Sequence, residues 1–198
     1  MKAPQQMSRT AVLVEGALMV ALAFVLSYLS FQPLPWGGDI TLLSTLPIVM
    51  MSLRHGAKWG VGTAGVYSLL QLVQGMPNVV AVPVKTVWTM ALCALLDYVL
   101  AYTALGFSGP IAQRFKHRTA GIAAGIALTG LARFACSFLS GVLIWGQFAW
   151  DGWPVWLYSL AYNASWCLPD VFLTLVAALL LSRVRVLGLL PQQHGVAV

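Results

Sequence analysis

Long apolar stretches with almost no charged side chains are the feature that most limits what this chain can fold into. A helix needs about 20 residues to cross a bilayer, and the apolar stretches approach that length. Hydrophobic residues make up 60% of the sequence and charged residues only 8%, whereas a soluble domain carries about 25% charged residues. A membrane β-barrel would instead show short segments of alternating polarity. The pattern therefore predicts an all-α membrane protein.

Short polar segments separate the apolar stretches, and this division predicts six transmembrane helices in a compact bundle. We expect one membrane domain over residues 1–198, with helices at about 11–29, 40–53, 59–73, 84–105, 120–144 and 156–181. The second helix is short and contains Pro47, so it must be tilted or partly enclosed by protein. The first stretch lacks an A-x-A cleavage site and is interpreted as a retained helix rather than a signal peptide.

The basic residues fall mainly on one side of this layout. Nine of the eleven are Lys2, Arg9, Arg54, Lys58, Arg114, Lys116, Arg118, Arg183 and Arg185. Cytoplasmic loops of membrane proteins carry an excess of Lys and Arg, so both termini are expected in the cytoplasm. The net charge of +6 therefore indicates membrane topology rather than nucleic-acid binding.

Motifs for catalysis, metal binding and ATP binding are missing from the sequence. It contains no Walker motif, H-E-x-x-H or G-x-S-x-G. Cys93, Cys136 and Cys167 lie apart in apolar segments and are interpreted as small packing residues. We expect no enzymatic activity, no metal and no cofactor in this chain. An intramembrane enzyme using Asp97 and Asp170, or an autonomous secondary transporter, remain alternatives, although the sequence shows no inverted repeat.

Charged residues inside the predicted helices mark places where the bundle must supply a partner or a cavity. They are Glu15, Lys85, Asp97, Arg133 and Asp170. Glu15 and Lys85 lie near helix ends, where their charges can reach the membrane surface. Asp97 and Arg133 lie near helix centres. Either they pair with each other, or Asp97 lines a site for a cationic or amino-bearing ligand. Asp170 follows a proline and is expected to organise a break in the last helix.

Aromatic and polar residues gather at the predicted outer ends of the last two helices. The stretch WGQFAWDGWPVW (145–156) holds four of the eight tryptophans. Trp150, Trp153 and Trp156 fit an aromatic belt at the membrane surface. Ser137, Trp145, Tyr158 and Asn163 are the candidate site residues of this region. Aromatic faces with a carboxylate and an amide suit a flat cationic heterocycle, which can stack and be oriented by hydrogen bonds.

Small residues on the first helix indicate a close contact with another helix. Ala17 and Ala21 are four residues apart and therefore lie on one face. Such a face lets helices approach closely. The neighbour is either a helix of the same bundle or a separate membrane subunit.

The sequence as a whole resembles the thiamine-specific S components of energy-coupling factor (ECF) transporters. The resemblance is carried by VEGALMVALAFVLSYL, by LLDYVLAYTALGFSG, and most specifically by R-F…S-G-x-x-x-W-G followed by Y-S-x-x-Y-N in residues 132–170. It implies six helices, cytoplasmic termini, and a multi-pass protein of a prokaryotic plasma membrane. It also implies thiamine as ligand. The implied partners are a transmembrane coupling subunit and two ATPases, which use the ATP.

The resemblance also implies roles for individual residues. The implied ligand contacts are Asp97, Tyr98, Trp145, Tyr158, Asn163, Tyr67 and, in the first outer loop, Trp36. Ala17 and Ala21 match the family's docking motif for the coupling subunit. Three positions depart from the family's pattern. Asp97 stands where a glutamate is usual, Ser137 where a histidine is usual, and Tyr67 where a tryptophan is usual. The outer loop at 76–83 is also longer. These departures leave a pyrimidine precursor or another vitamin-like heterocycle open as ligand.

Overall fold

The computed structural model describes residues 8–31 and 38–184, and these residues are predominantly helical. The helices are α1 (Arg9–Ser27), α2 (Leu46–Gln74), α3 (Met76–Val80), α4 (Val87–Ala112), α5 (Arg118–Leu143) and α6 (Val155–Ser182). A short 3₁₀ turn, Gly146–Phe148, follows α5. Two-residue strands β1 (Ser30–Phe31) and β2 (Ile40–Thr41) pair antiparallel between α1 and α2.

Four of these helices are long and apolar enough to cross a membrane: α1, α4, α5 and α6. Their outward surfaces carry large apolar side chains, including Leu18, Val25, Leu139 and Phe172, each about half exposed or more. Such a surface is costly in water but suits lipid tails. The fold class predicted from the apolar stretches, a helical membrane protein, is therefore confirmed for the described residues.

A sharp kink divides α2. Gly56 has φ 78° and ψ −169°, a backbone conformation open to glycine but strained for residues with a Cβ. The segments on either side of it correspond to the predicted helices 40–53 and 59–73. The predicted start of the first of these was wrong, because Ile40 and Thr41 pair with β1 and the helix begins only at Leu46.

Small residues allow α2, α4 and α5 to pack backbone against backbone. A Cβ at Gly106 or Gly109 would lie less than 3 Å from the backbone of α2. Ser52 fills the same contact: its hydroxyl donates to the Gly106 carbonyl (2.5 Å) and accepts from the Gly109 N–H (2.8 Å). Gly125 approaches the Ser108 carbonyl in the same way. This packing closes one half of the bundle and leaves the half toward the end of α5 free to form a cavity.

Three of the charged residues predicted inside the helices, Glu15, Arg133 and Asp170, form ion pairs, but not all with the predicted partner. Arg133 pairs with Asp170, with 2.5 Å between Nη1 and Oδ2, so the proposed pairing of Arg133 with Asp97 was wrong. Two acids were available to Arg133, and the close packing of α5 on α6 selects Asp170. Glu15 is paired with both Arg54 and His55 at the end of the first half of α2.

Candidate ligand-binding site

A cavity of about 400 Å³ opens between the helices, in the half of the bundle toward the end of α5 and the beginning of α6. On α5 its walls begin at Arg133, and on α6 they end at Trp166. Polar and aromatic side chains from α2, α4, α5 and α6 contribute, together with residues before α2 and in α3. A cavity of this size fits a ligand of two linked rings.

A π-helical stretch, Ala94–Leu100, carries two adjacent residues of α4, Asp97 and Tyr98, that both line this cavity. π-helical turns inside α-helices are rare and frequent at functional sites. The Asp97 carboxylate accepts hydrogen bonds from Ser140 (2.5 Å) and from Cys93 (3.4 Å) through Oδ2. Two neighbours therefore fix the orientation of this acid at the cavity wall.

Close packing of α5 on α6 builds the opposite wall. A Cβ at Gly141 would lie 2.2 Å from the Ser159 hydroxyl and 3.2 Å from the Asn163 amide nitrogen, so only glycine fits there. The Ser159 hydroxyl donates to the Phe138 carbonyl (2.8 Å), which fixes the two helices. The Asn163 amide donates to the Ser159 carbonyl (2.9 Å), and Asn163 lines the cavity.

Aromatic rings surround the part of the cavity between the end of α5 and the beginning of α6. Tyr158 and Tyr162 lie 5.4 Å apart between ring centroids, and Trp145 lies 6.0 Å from Phe148. All four line the cavity. Trp150 packs edge-on against Tyr158 at 5.3 Å without lining the cavity. The electron-rich faces of such rings attract a flat cation.

The floor of the cavity is a buried polar layer. The Arg133 guanidinium lies over the rings of Tyr102 (4.6 Å) and Trp166 (5.0 Å). It also donates to Asp170, whose other carboxylate oxygen accepts from the Thr41 hydroxyl (2.8 Å). Because Asp170 neutralises Arg133, this pair presents no net charge to a ligand. Asp97 has no such cationic neighbour among the contacts of the described residues.

Most of the residues predicted for the site come together in this cavity. Six of them line it: Asp97, Tyr98, Ser137, Trp145, Tyr158 and Asn163. Tyr67 does not, because its side chain is completely buried in the apolar core and packs edge-on against Tyr102 (5.3 Å). Its neighbour Tyr102, on α4, lines the cavity instead. Trp36 lies outside the described residues.

Several lining residues were missed by the sequence analysis. Gln71 and Gln74 stand three apart at the end of α2, and Ser27 of α1 donates to the Gln74 amide oxygen (2.9 Å). Tyr102 stands four residues after Tyr98, so helical spacing alone could have identified it. The predicted long outer loop forms α3. Its Asn78 lines the cavity and its amide donates to the Tyr98 hydroxyl (3.4 Å).

The arrangement is suited to binding and orienting a ligand. Two carboxylates (Asp39 and Asp97), four side-chain amides, several hydroxyls and a set of aromatic rings line the cavity and can hold a cationic, amino-bearing heterocycle. Among the described residues, no group of three or more His, Cys, Asp or Glu side chains is placed to hold a metal ion.

Comparisons with known proteins agree with this interpretation of the cavity as a ligand-binding site. Residues 13–187 match the family model described as thiamine transporter protein (Thia_YuaJ). The chain is 33% identical to the thiamine transporter ThiT of Bacillus subtilis over 181 residues, covering 85% of this chain and 88% of that protein. Its fold is similar to that of ThiT from Listeria monocytogenes, with a TM-score of 0.73, 23% identity, and coverage of 92% of this chain and 99% of the other. It is also similar to the S component of a bacterial ECF transporter, with a TM-score of 0.59, 18% identity, and coverage of 90% and 97%. Because the family model covers nearly the whole chain, this protein belongs to the thiamine transporter family.

Proposed function

We propose that this chain is the membrane-embedded, thiamine-binding subunit of an ECF-type importer. The observation that carries the proposal is the family match over residues 13–187. The cavity supports it independently, because it combines the Asp97 carboxylate with rings and an amide. Thiamine joins a cationic thiazolium to an aminopyrimidine, and this wall chemistry complements both rings.

Each group has a role in this proposal. Asp97 accepts a hydrogen bond from the amino group of the ligand or faces its positive charge. Trp145 and Tyr158 stack on the rings, and Asn163 fixes orientation with its amide. Tyr98 and Ser137 contribute hydroxyls. The ligand is captured and not converted, so the chain has no enzymatic activity of its own and holds no cofactor.

The topology and partners belong to the same proposal. The kinked α2 counts as two spans, so the bundle has six transmembrane segments in one domain with both termini in the cytoplasm of a prokaryotic cell. A transmembrane coupling subunit docks on the face of α1 that carries Ala17 and Ala21, both exposed. Two ATPase subunits supply the energy for uptake through the plasma membrane.

The test is calorimetric titration of the purified chain with thiamine, thiamine phosphates and the aminopyrimidine moiety alone. We expect thiamine to bind most tightly. Tighter binding of the aminopyrimidine would make the chain a carrier of a thiamine precursor. No binding of any of the three would refute the proposed ligand class.

Uptake experiments test the dependence on partners. We expect labelled thiamine to enter proteoliposomes only when the coupling subunit, the ATPases and ATP are present. Uptake by the chain alone, driven by a proton or sodium gradient, would identify an autonomous secondary transporter instead.

A further inference from the structure

The buried ion pair of Arg133 and Asp170 has no assigned part in the proposed binding mode. Both residues are almost completely buried, with exposures of 3% and 1%. Enclosing two charges costs so much desolvation free energy that apolar residues in their place are often as stable or more stable. Stability alone is therefore a weak reason for the pair, and its other contacts suggest what it does.

The pair connects two separate parts of the cavity wall. On one side, the guanidinium of Arg133 lies over Tyr102 and Trp166, whose rings line the cavity. On the other side, Asp170 accepts the hydroxyl of Thr41, which also lines the cavity. A planar guanidinium can contact two rings and a carboxylate at once, which an ammonium group cannot do in the same way.

The segment 38–41 rests on this floor at both of its ends. The Thr41 hydroxyl donates a hydrogen bond to the Asp170 carboxylate. At the other end, Gly38 lies so close to the indole of Trp166 that a Cβ would come within 2.5 Å of Nε1. Gly38 also has φ +89°, a conformation that favours glycine. Gly38 and Thr41 both line the cavity, so this segment is a wall that contacts Asp170 and Trp166 as well as its partner strand β1.

A second hydrogen bond between the segment after β1 and α6 involves two hydroxyl groups that do not line the cavity. Four residues beyond Thr41, the Thr45 hydroxyl is hydrogen-bonded to that of Thr174 (2.7 Å), four residues beyond Asp170. Both members of this link are buried, and neither lines the cavity. The chain therefore contains its own control for a general effect of losing a buried hydrogen bond.

We propose that Arg133, Asp170 and Thr41 are positioning residues that hold the segment 38–41 and the two floor rings against the bound ligand, and so set how long the ligand stays. The inference rests on the proposed function, since it needs thiamine in the cavity. Fixing an already folded wall changes the rate of dissociation more than the rate of encounter.

The experiment measures association and dissociation rates of labelled thiamine on the purified full chain. We expect Thr41→Val to raise the dissociation rate about tenfold and to leave the association rate within about twofold, because it removes the hydrogen bond to the Asp170 carboxylate together with the one between Thr41 and Ser44. Thr41→Ser restores the hydroxyl and is expected to restore slow dissociation. Thr45→Val should lower the melting temperature but leave the dissociation rate within about twofold of the unmodified chain.

Equal dissociation rates for Thr41→Val and Thr45→Val would overturn the inference, as would a change confined to association. If Thr41→Val does not fold, Arg133→Lys gives the same test. It retains the charge opposite Asp170 but loses the planar group over the rings, so slow dissociation in that variant would also overturn the inference. An unmodified chain that does not bind thiamine would instead refute the proposed function.

Discussion

Replacing Asp97 with asparagine tests the chemistry of the cavity most directly. The amide has nearly the size and shape of the carboxylate, and its oxygen can still accept the hydrogen bonds from Ser140 and Cys93. The π-helical stretch and the wall around it should therefore stay in place. What changes is the charge, so we expect folding to be preserved while binding of a cation is weakened.

The size of the effect follows from the surroundings of this acid. Two unit charges about 5 Å apart attract each other with about 3 kcal/mol at an effective dielectric constant near 20. Desolvation offsets part of this, and hydrogen bonds to charged groups contribute about 1.5–3 kcal/mol. We therefore expect Asp97→Asn to weaken thiamine binding by roughly 10- to 100-fold.

Isothermal titration of the purified variant measures this loss, and its melting temperature checks the fold. Asp151→Asn is the matched control, because Asp151 is an exposed acid in the turn before α6 and does not line the cavity. A dissociation constant for Asp97→Asn within about twofold of the unmodified chain would show that the ligand's charge or amino group lies elsewhere. An equal loss in both variants would indicate long-range attraction rather than contact.

Three further predictions concern other parts of the molecule. Asn163→Ala should weaken thiamine binding at least about tenfold in the same titration, or about 1.4 kcal/mol, because an orienting amide is lost; unchanged affinity would remove it from the site. Ala17→Trp or Ala21→Trp should leave binding intact and abolish uptake in cells that contain the coupling module, whereas Leu139→Trp, on the exposed surface of α5, should permit uptake. Persisting uptake in the α1 variants would place the docking surface elsewhere. Deleting Leu95, an exposed residue of the π-helical stretch, should abolish measurable binding, while Leu95→Ala should retain it. Binding by the deletion variant would mean that the stretch does not position the site.

The candidate site could be predicted in large part because polar groups are scarce in this chain. Any charged or amide side chain inside an apolar stretch needs a cavity or a partner. Asp97 and Asn163 were identified for this reason, and helical spacing placed Trp145 and Tyr158 nearby. These four residues do line one cavity.

What could not be predicted depends on details of backbone geometry and pairing. Two acids lay in reach of Arg133, and nothing in the sequence says that α5 packs closely enough on α6 to select Asp170. Nothing in the sequence indicates that Ala94–Leu100, the stretch that carries Asp97 and Tyr98, is π-helical. Tyr67 was chosen by resemblance alone, and its complete burial becomes visible only when the core has formed around it.

The structure beneath the polar floor also limits the routes by which a ligand can leave the cavity. Below Arg133 on α5, Ile122 and Ile126 belong to the closed apolar core, and the close backbone packing of α2, α4 and α5 continues there. Within the described residues the cavity therefore has the form of a cup with a sealed base, not of a channel. Release on the opposite side of the membrane then requires a large rearrangement of the bundle, or a change in its orientation in the membrane. A closed base also means that, without such a change, the ligand enters and leaves the cavity by the same opening.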